Sequence, residues 1–177
     1  MILVTGARGF VGSKIMELCK DTVAAPSLRN ASLEDIMRLI DESRADAIIH
    51  TAAISDIGTC EADPEASYKA NVELPVLLAK AAGGRKLVCF SSDQVYTGMD
   101  DEGPYTEDRA KPANTYARHK LEMEERVLDI CPDNGFLKRP SPGYSQASFR
   151  NVPHRLKGGS SLQSYCSQQG RPLQRSS

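Results

Sequence analysis

The chain has no surplus of charge of either sign. Its 177 residues carry 22 Lys and Arg against 23 Asp and Glu, a net charge of −1. A general nucleic-acid binder needs a basic excess, so that class is excluded. No apolar run approaches the ~20 residues of a membrane span, so no membrane partner is expected. The opening Met-Ile-Leu-Val-Thr-Gly lacks the basic segment and cleavage site of a signal peptide. The five cysteines are scattered and form no Cys-x-x-Cys pair, and the three histidines lack metal-ligand spacing. Reduced thiols in a cytoplasmic protein without a resident metal are the expectation.

The even balance conceals a break near Gly135. Residues 1–135 hold 15 basic and 23 acidic side chains, and residues 136–177 hold seven basic ones and no acid. The latter stretch is rich in Ser, Gln, Pro and Gly and shows no apolar period. Composition divides the chain into a folded domain over 1–140 and a poorly ordered basic tail over 141–177. The tail reads as sequence never selected to fold with the rest, as in a frame-shifted or truncated product. A basic arm for an acidic partner is the alternative.

Strand-like and helix-like segments alternate through the first part. Ile2–Thr5, Thr22–Ala25, Ala47–His50 and Lys86–Phe90 are short apolar runs, and Phe136–Leu137 opens a further one. Helical spacing marks Phe10–Lys20, Leu33 to about Asp41 behind a Ser32/Asp35 capping box, Glu65–Ala82 with Pro75 inside it, and Thr115–Ile130. Such alternation predicts an α/β fold, a Rossmann-type doubly wound parallel sheet.

Three motifs carry chemistry. Gly6-Ala7-Arg8-Gly9-Phe10-Val11-Gly12 follows a strand and opens a helix, the context in which backbone N–H groups and the helix dipole hold a pyrophosphate. Tyr116 and Lys120 share a helical face, where an ammonium would lower the phenol pKa and fit it for proton transfer. Ser91-Ser92-Asp93 ends a strand at the edge where open parallel sheets bind ligands. The acidic run Asp100-Asp101-Glu102 reads as a solvated loop, and His119 as an inert residue on the solvent side of its helix.

These stretches, with Ile48-Ile49-His50-Thr51-Ala52-Ala53, Cys60-Glu61-Ala62-Asp63-Pro64-Glu65 and Asn71, resemble the extended short-chain dehydrogenase/reductase superfamily. Within it, residues 1–140 are similar to the dTDP-4-dehydrorhamnose reductase (RmlD-like) family. The resemblance implies Ser92, Tyr116 and Lys120 as catalytic residues. It implies Gly6, Arg8, Gly9, Phe10, Val11, Gly12, Ala52, Ala53, Asn71, Tyr116 and Lys120 as cofactor-binding residues. It further implies reduction of the 4-keto group of a nucleotide-linked deoxysugar by NAD(P)H. His50 stands where the family often has Asn. The acid that would hold an NAD ribose is missing between Pro26 and Ser32, and Arg29 stands there instead, which favours NADP over NAD. The family's substrate domain does not align after about Pro140, so it is expected to be largely missing and turnover to be small. The expected partner is a small-molecule sugar nucleotide, and self-association into a homo-oligomer is left open. A non-catalytic dinucleotide-binding subunit, like the regulatory subunit of methionine adenosyltransferase, is one alternative. An epimerase or dehydratase of the same superfamily is the other.

Overall fold

Five short parallel strands form one sheet in this computed structural model, which describes residues 1–100, 105–132 and 135–138. They are β1 (Ile2–Thr5), β2 (Thr22–Ala24), β3 (Ala47–His50), β4 (Lys86–Phe90) and β5 (Gly135–Lys138). Their order is β2-β1-β3-β4-β5. The chain winds outward from β1 to β2, then returns across β1 to lay down β3, β4 and β5. The direction reverses between β1 and β3, the switch point where parallel sheets open a ligand crevice at their carboxyl ends.

Alternation along each strand sends side chains to two cores. Leu3, Ile48, Leu87 and Cys89 face helices α2 (Leu33–Glu42), α5 (Leu74–Ala81) and α6 (Thr115–Ile130), where Ile36, Ile40, Leu78 and Met123 complete the larger core. Ile2, Val4 and Ile49 face the other way, towards Ile15 of α1 (Phe10–Leu18). Truncating a core residue such as Ile36 or Ile40 to Ala would cost about 2–5 kcal/mol. The Ser32/Asp35 capping box forms as expected. The Ser32 hydroxyl accepts from the Asp35 N–H and the Asp35 carboxylate accepts from the Ser32 N–H, both at 3.1 Å.

The segment expected as one helix over Glu65–Ala82 is built in three parts. Helix α4 (Pro64–Tyr68) runs into a π-turn over Lys69–Glu73 and then into α5. Pro75 has no N–H for the carbonyl of Asn71, and its ring would crowd that oxygen in a regular helix. The wider turn, in which Leu74 N–H reaches back to the Lys69 carbonyl, relieves both problems. Before it lies α3 (Ile57–Ala62), a short helix that no periodicity signals, started by the Asp56 carboxylate on the Thr59 N–H at 2.7 Å.

Strand β5 pairs in parallel with β4, Val88 beside Phe136, so β4 is an interior strand and the sheet continues past the charge break at Gly135. The further strand expected to open at Phe136–Leu137 is present as β5. Cys60, Cys89 and Cys131 are free thiols. The tail over 141–177, His154 and the acids Asp101 and Glu102 lie outside the described residues. Asp100 pairs with Lys111 at 2.8 Å. Among the described residues, no helix is long and apolar enough to cross a membrane.

Candidate active site

The glycine turn connects β1 to α1 across the switch point. Gly6 has φ +71°, and a Cβ there would press on the backbone of Ala52 and the hydroxyl of Thr51. A Cβ on Gly12 would collide with the carbonyl of Gly6. These two glycines are required by the protein's own packing. Gly9 differs: a Cβ there meets only the Gly6 oxygen, at 3.2 Å. It caps α1 without a side-chain bond, at the helix end whose dipole favours an anion. Arg8 and Phe10 are exposed beside the turn, and Val11 is half-buried behind it.

Strand β3 supplies the opposite wall. Thr51, absent from the expected site, donates both its N–H and its hydroxyl to the Thr5 carbonyl, at 3.1 and 2.7 Å. That double bond ties the end of β3 to the end of β1 and sets the small residues Ala52 and Ala53 beside the glycine turn. His50 lies beneath, its Nδ1 2.6 Å from the Thr5 hydroxyl. Burial above all, with the Lys120 charge second, pushes its pKa down to about 3. Its Nε2 and the Ser91 hydroxyl are buried without a partner, a pair of unspent polar atoms at the ends of β3 and β4.

Strand β4 and helix α6 bring the third wall. Ser92 caps a short 3₁₀ turn, Asp93–Tyr96, its hydroxyl accepting from the Gln94 N–H at 3.2 Å. Helix α6 starts at Asn114, whose side chain accepts from the Ala117 N–H at 2.8 Å. Glu61 of α3 accepts from the Thr115 N–H at 2.6 Å and from its hydroxyl at 2.8 Å. This Glu61 anchor spans 54 residues and has no local sequence signal. With its first turn held at two points, α6 buries Tyr116 and Lys120 at 7% and 4% exposure.

One expectation is reversed here. The Tyr116 phenol has its pKa raised, because burial outweighs the lowering by the Ser92 hydroxyl. The Lys120 charge does not outweigh that burial. Its ammonium donates to the Phe90 carbonyl at 2.8 Å and stands 5.9 Å from the centre of the Tyr116 ring. Burial brings the Lys120 pKa down to about 8.

Two expected site residues stand apart. Arg29 is exposed on the loop after β2, where Ser27, Arg29, Asn30 and Asp35 line a cleft of about 390 Å³. Asn71 is fully buried in the π-turn with its amide bound to Ile54 and Ser67, so it supports the loop after β3 from behind. His119 is also placed differently from the expectation. It is half-buried, bonded to Ser67 and set edge-on against Tyr68 with ring centres 5.4 Å apart.

A parallel sheet with a glycine turn at its switch point and a Ser–Tyr–Lys set at the neighbouring strand end defines the short-chain dehydrogenase/reductase class. The RmlD substrate binding domain matches residues 1–172, and the chain belongs to that family. It is 33% identical over 153 residues to methionine adenosyltransferase 2 subunit beta of Danio rerio, covering 78% of this chain and 47% of the relative. It is 31% identical over 141 residues to dTDP-4-dehydrorhamnose reductase of Mycolicibacterium smegmatis, covering 75% and 42%. Among solved structures it is similar to dTDP-4-dehydrorhamnose reductase from Bacillus anthracis in complex with NADP. That match has a TM-score of 0.71 and 25% identity over 78% of this chain and 52% of the other. The chain spans about half the length of the curated relatives it matches.

Proposed function

We propose that this chain is the dinucleotide-binding part of an NADPH-dependent reductase that acts on a nucleotide-linked 4-keto-deoxysugar. The carrying observation is the joint burial of Tyr116 and Lys120, with the Ser92 hydroxyl bonded to the phenol, at the carboxyl ends of the strands. The residues fit a dinucleotide. A Cβ on Gly9 meets one neighbour, the Gly6 oxygen, whereas Gly6 and Gly12 are hemmed in by several, and Gly9 stands at the N-terminus of α1. Gly6, Gly9, Val11 and Gly12 would hold the pyrophosphate, with Arg8 and Phe10 at its rim. Ala52 and Ala53 would pass beneath it, and Lys120 would reach the nicotinamide ribose. When bound, NADPH supplies a hydride.

The chain's own groups supply the proton and the orientation. A raised pKa keeps Tyr116 protonated at neutral pH, the form a reduction needs, and its O–H donates to the substrate carbonyl oxygen as negative charge develops there. Ser92 donates a second hydrogen bond to that oxygen and fixes its position. Lys120 keeps its charge below pH about 8 and stabilises the phenolate left behind.

Arg29, on a cleft whose one carboxylate is turned to the Ser32 cap, supports NADPH over NADH through a guanidinium for the 2′-phosphate. A cytoplasmic setting and self-association belong to the same reading. Turnover by this length of chain alone is small, since the matched relatives are about twice as long. The likeness to a methionine adenosyltransferase subunit supports a second reading, a dinucleotide-binding partner subunit without turnover. Titration with NADPH and NADH, followed by an assay of NADPH oxidation with a dTDP-linked 4-keto-6-deoxysugar, separates the readings. Binding with slow, sugar-dependent oxidation supports the reductase. Binding with none supports the subunit, and no binding sinks both.

A further inference from the structure

A chain of directed hydrogen bonds runs from the outer side of α6 to the turn beside the crevice. Its polarity can be assigned from the backbone end. The Asn71 carbonyl oxygen accepts from the Ile54 N–H at 3.1 Å, and its amide nitrogen donates to the Ile54 carbonyl at 2.9 Å. Backbone groups fix which end of the amide is which. The same nitrogen donates to the Ser67 hydroxyl oxygen at 3.2 Å. The Ser67 proton is then left to give, and the His119 Nδ1 lies 2.9 Å away. Ser67 is buried and Nδ1 is the one acceptor within reach of its hydroxyl, so His119 accepts on Nδ1 and carries its own proton on Nε2. Burial lowers its pKa and favours this neutral form.

Ser67 and Asn71 are 1% and 0% exposed, so neither can turn to water for a substitute partner. The Ile54 carbonyl also accepts from the Cys60 thiol at 3.3 Å, which leaves the Ile54 N–H dependent on Asn71. Ile54 directly follows Ala52 and Ala53, the wall facing the glycine turn.

We propose that His119 is a positioning residue: acting through Ser67 and Asn71, it fixes the turn at Ile54 and so shapes the wall that Ala52 sets against Gly6. What that wall would touch rests on the dinucleotide reading above, whereas the bracing itself does not. With an apolar residue at 119, the Ser67 proton loses its acceptor and the hydroxyl can rotate to give it elsewhere. Asn71 then loses its settled anchor on Ser67 and keeps only its bonds to the Ile54 backbone and the weak Cys60 contact.

The test compares wild type with Ser67→Ala, His119→Leu and His119→Asn, reading hydrogen exchange of the Ile54 amide and affinity for NADPH. Asn can present its side-chain oxygen where the imidazole Nδ1 stood. The expected result is Ile54 exchange about three- to tenfold faster in His119→Leu and Ser67→Ala, as for loss of one hydrogen bond. NADPH affinity should weaken in parallel, and His119→Asn should restore both. Unchanged Ile54 exchange in His119→Leu overturns the proposal. So does a His119→Asn variant as impaired as His119→Leu, which would mark His119 as mere packing against Tyr68. Faster exchange with unchanged NADPH affinity overturns the link to the crevice. A wild type that binds no NADPH defeats the functional reading, and the exchange comparison still decides the brace.

Discussion

Lys120 gives its ammonium proton to the carbonyl of Phe90 at 2.8 Å, thirty residues earlier in the chain. This bond anchors α6 to the end of β4 and decides where the positive charge stands. The ammonium serves the strand end.

The Lys120 charge yields a pH prediction. Its pKa in the folded chain is about 8, so the ammonium is present at neutral pH and lost as pH rises through that value. NADPH affinity is expected to hold level below pH about 7.5 and to fall above pH about 8. Lys120→Met should bind weakly and without this dependence. Isothermal titration across pH 6.5 to 9.5, a range bracketing the lysine's lowered pKa, makes the check. A Met variant that keeps the wild-type profile would assign the dependence to another group.

The glycines should separate by role. Gly12→Ala puts a Cβ onto the Gly6 carbonyl and is expected to cost about 1–3 kcal/mol of stability, as overpacking does. Gly9→Val has one close neighbour, the Gly6 oxygen at 3.2 Å, and should lower the thermal midpoint less than Gly12→Ala while abolishing NADPH binding. Melting curves with and without NADPH test both together. A Gly9→Val protein that still gains stability from NADPH would remove the pyrophosphate from this turn.

Tyr116→Phe keeps the buried ring and deletes the proton. Whatever sugar-dependent NADPH oxidation the chain shows should fall by about 10²–10⁴-fold, with cofactor affinity nearly unchanged. Equal rates in the two proteins would take the proton-donor role away from Tyr116.

His50 makes stability depend on pH. Its pKa in the folded chain is about 3, against an ordinary value near 6.5, so the unfolded chain binds the proton first. The sign follows: stability is highest above pH ~6.5, declines as pH falls towards about 3, and declines no further below it. At pH ~5 the loss from this one group is about 2 kcal/mol. Urea unfolding at pH ~7 and ~5 should show that difference in wild type and a smaller one in His50→Asn. The half-buried His119, also lowered, adds loss of the same sign in both proteins.

The sequence by itself determined the strand and helix succession and the chemistry-bearing residues. β1, β3, β4 and α6 lie at the bounds their apolar patterns give, because each is a local run whose period or β-branched content needs no distant partner. The Ser32/Asp35 cap is likewise local, satisfied within one turn. Tertiary structure decided what depends on neighbours far along the chain. Burial, which no local pattern reports, raised the Tyr116 pKa and took Lys120 to Phe90. Packing of α6 on α3 and α4 joined Glu61 to Thr115 and His119 to Ser67, turning an expected bystander into the end of a buried chain. Helix α3 had no sequence signal, because six residues are too few for an apolar period to stand out. It exists because Asp56 caps it and Cys60 buries beneath it.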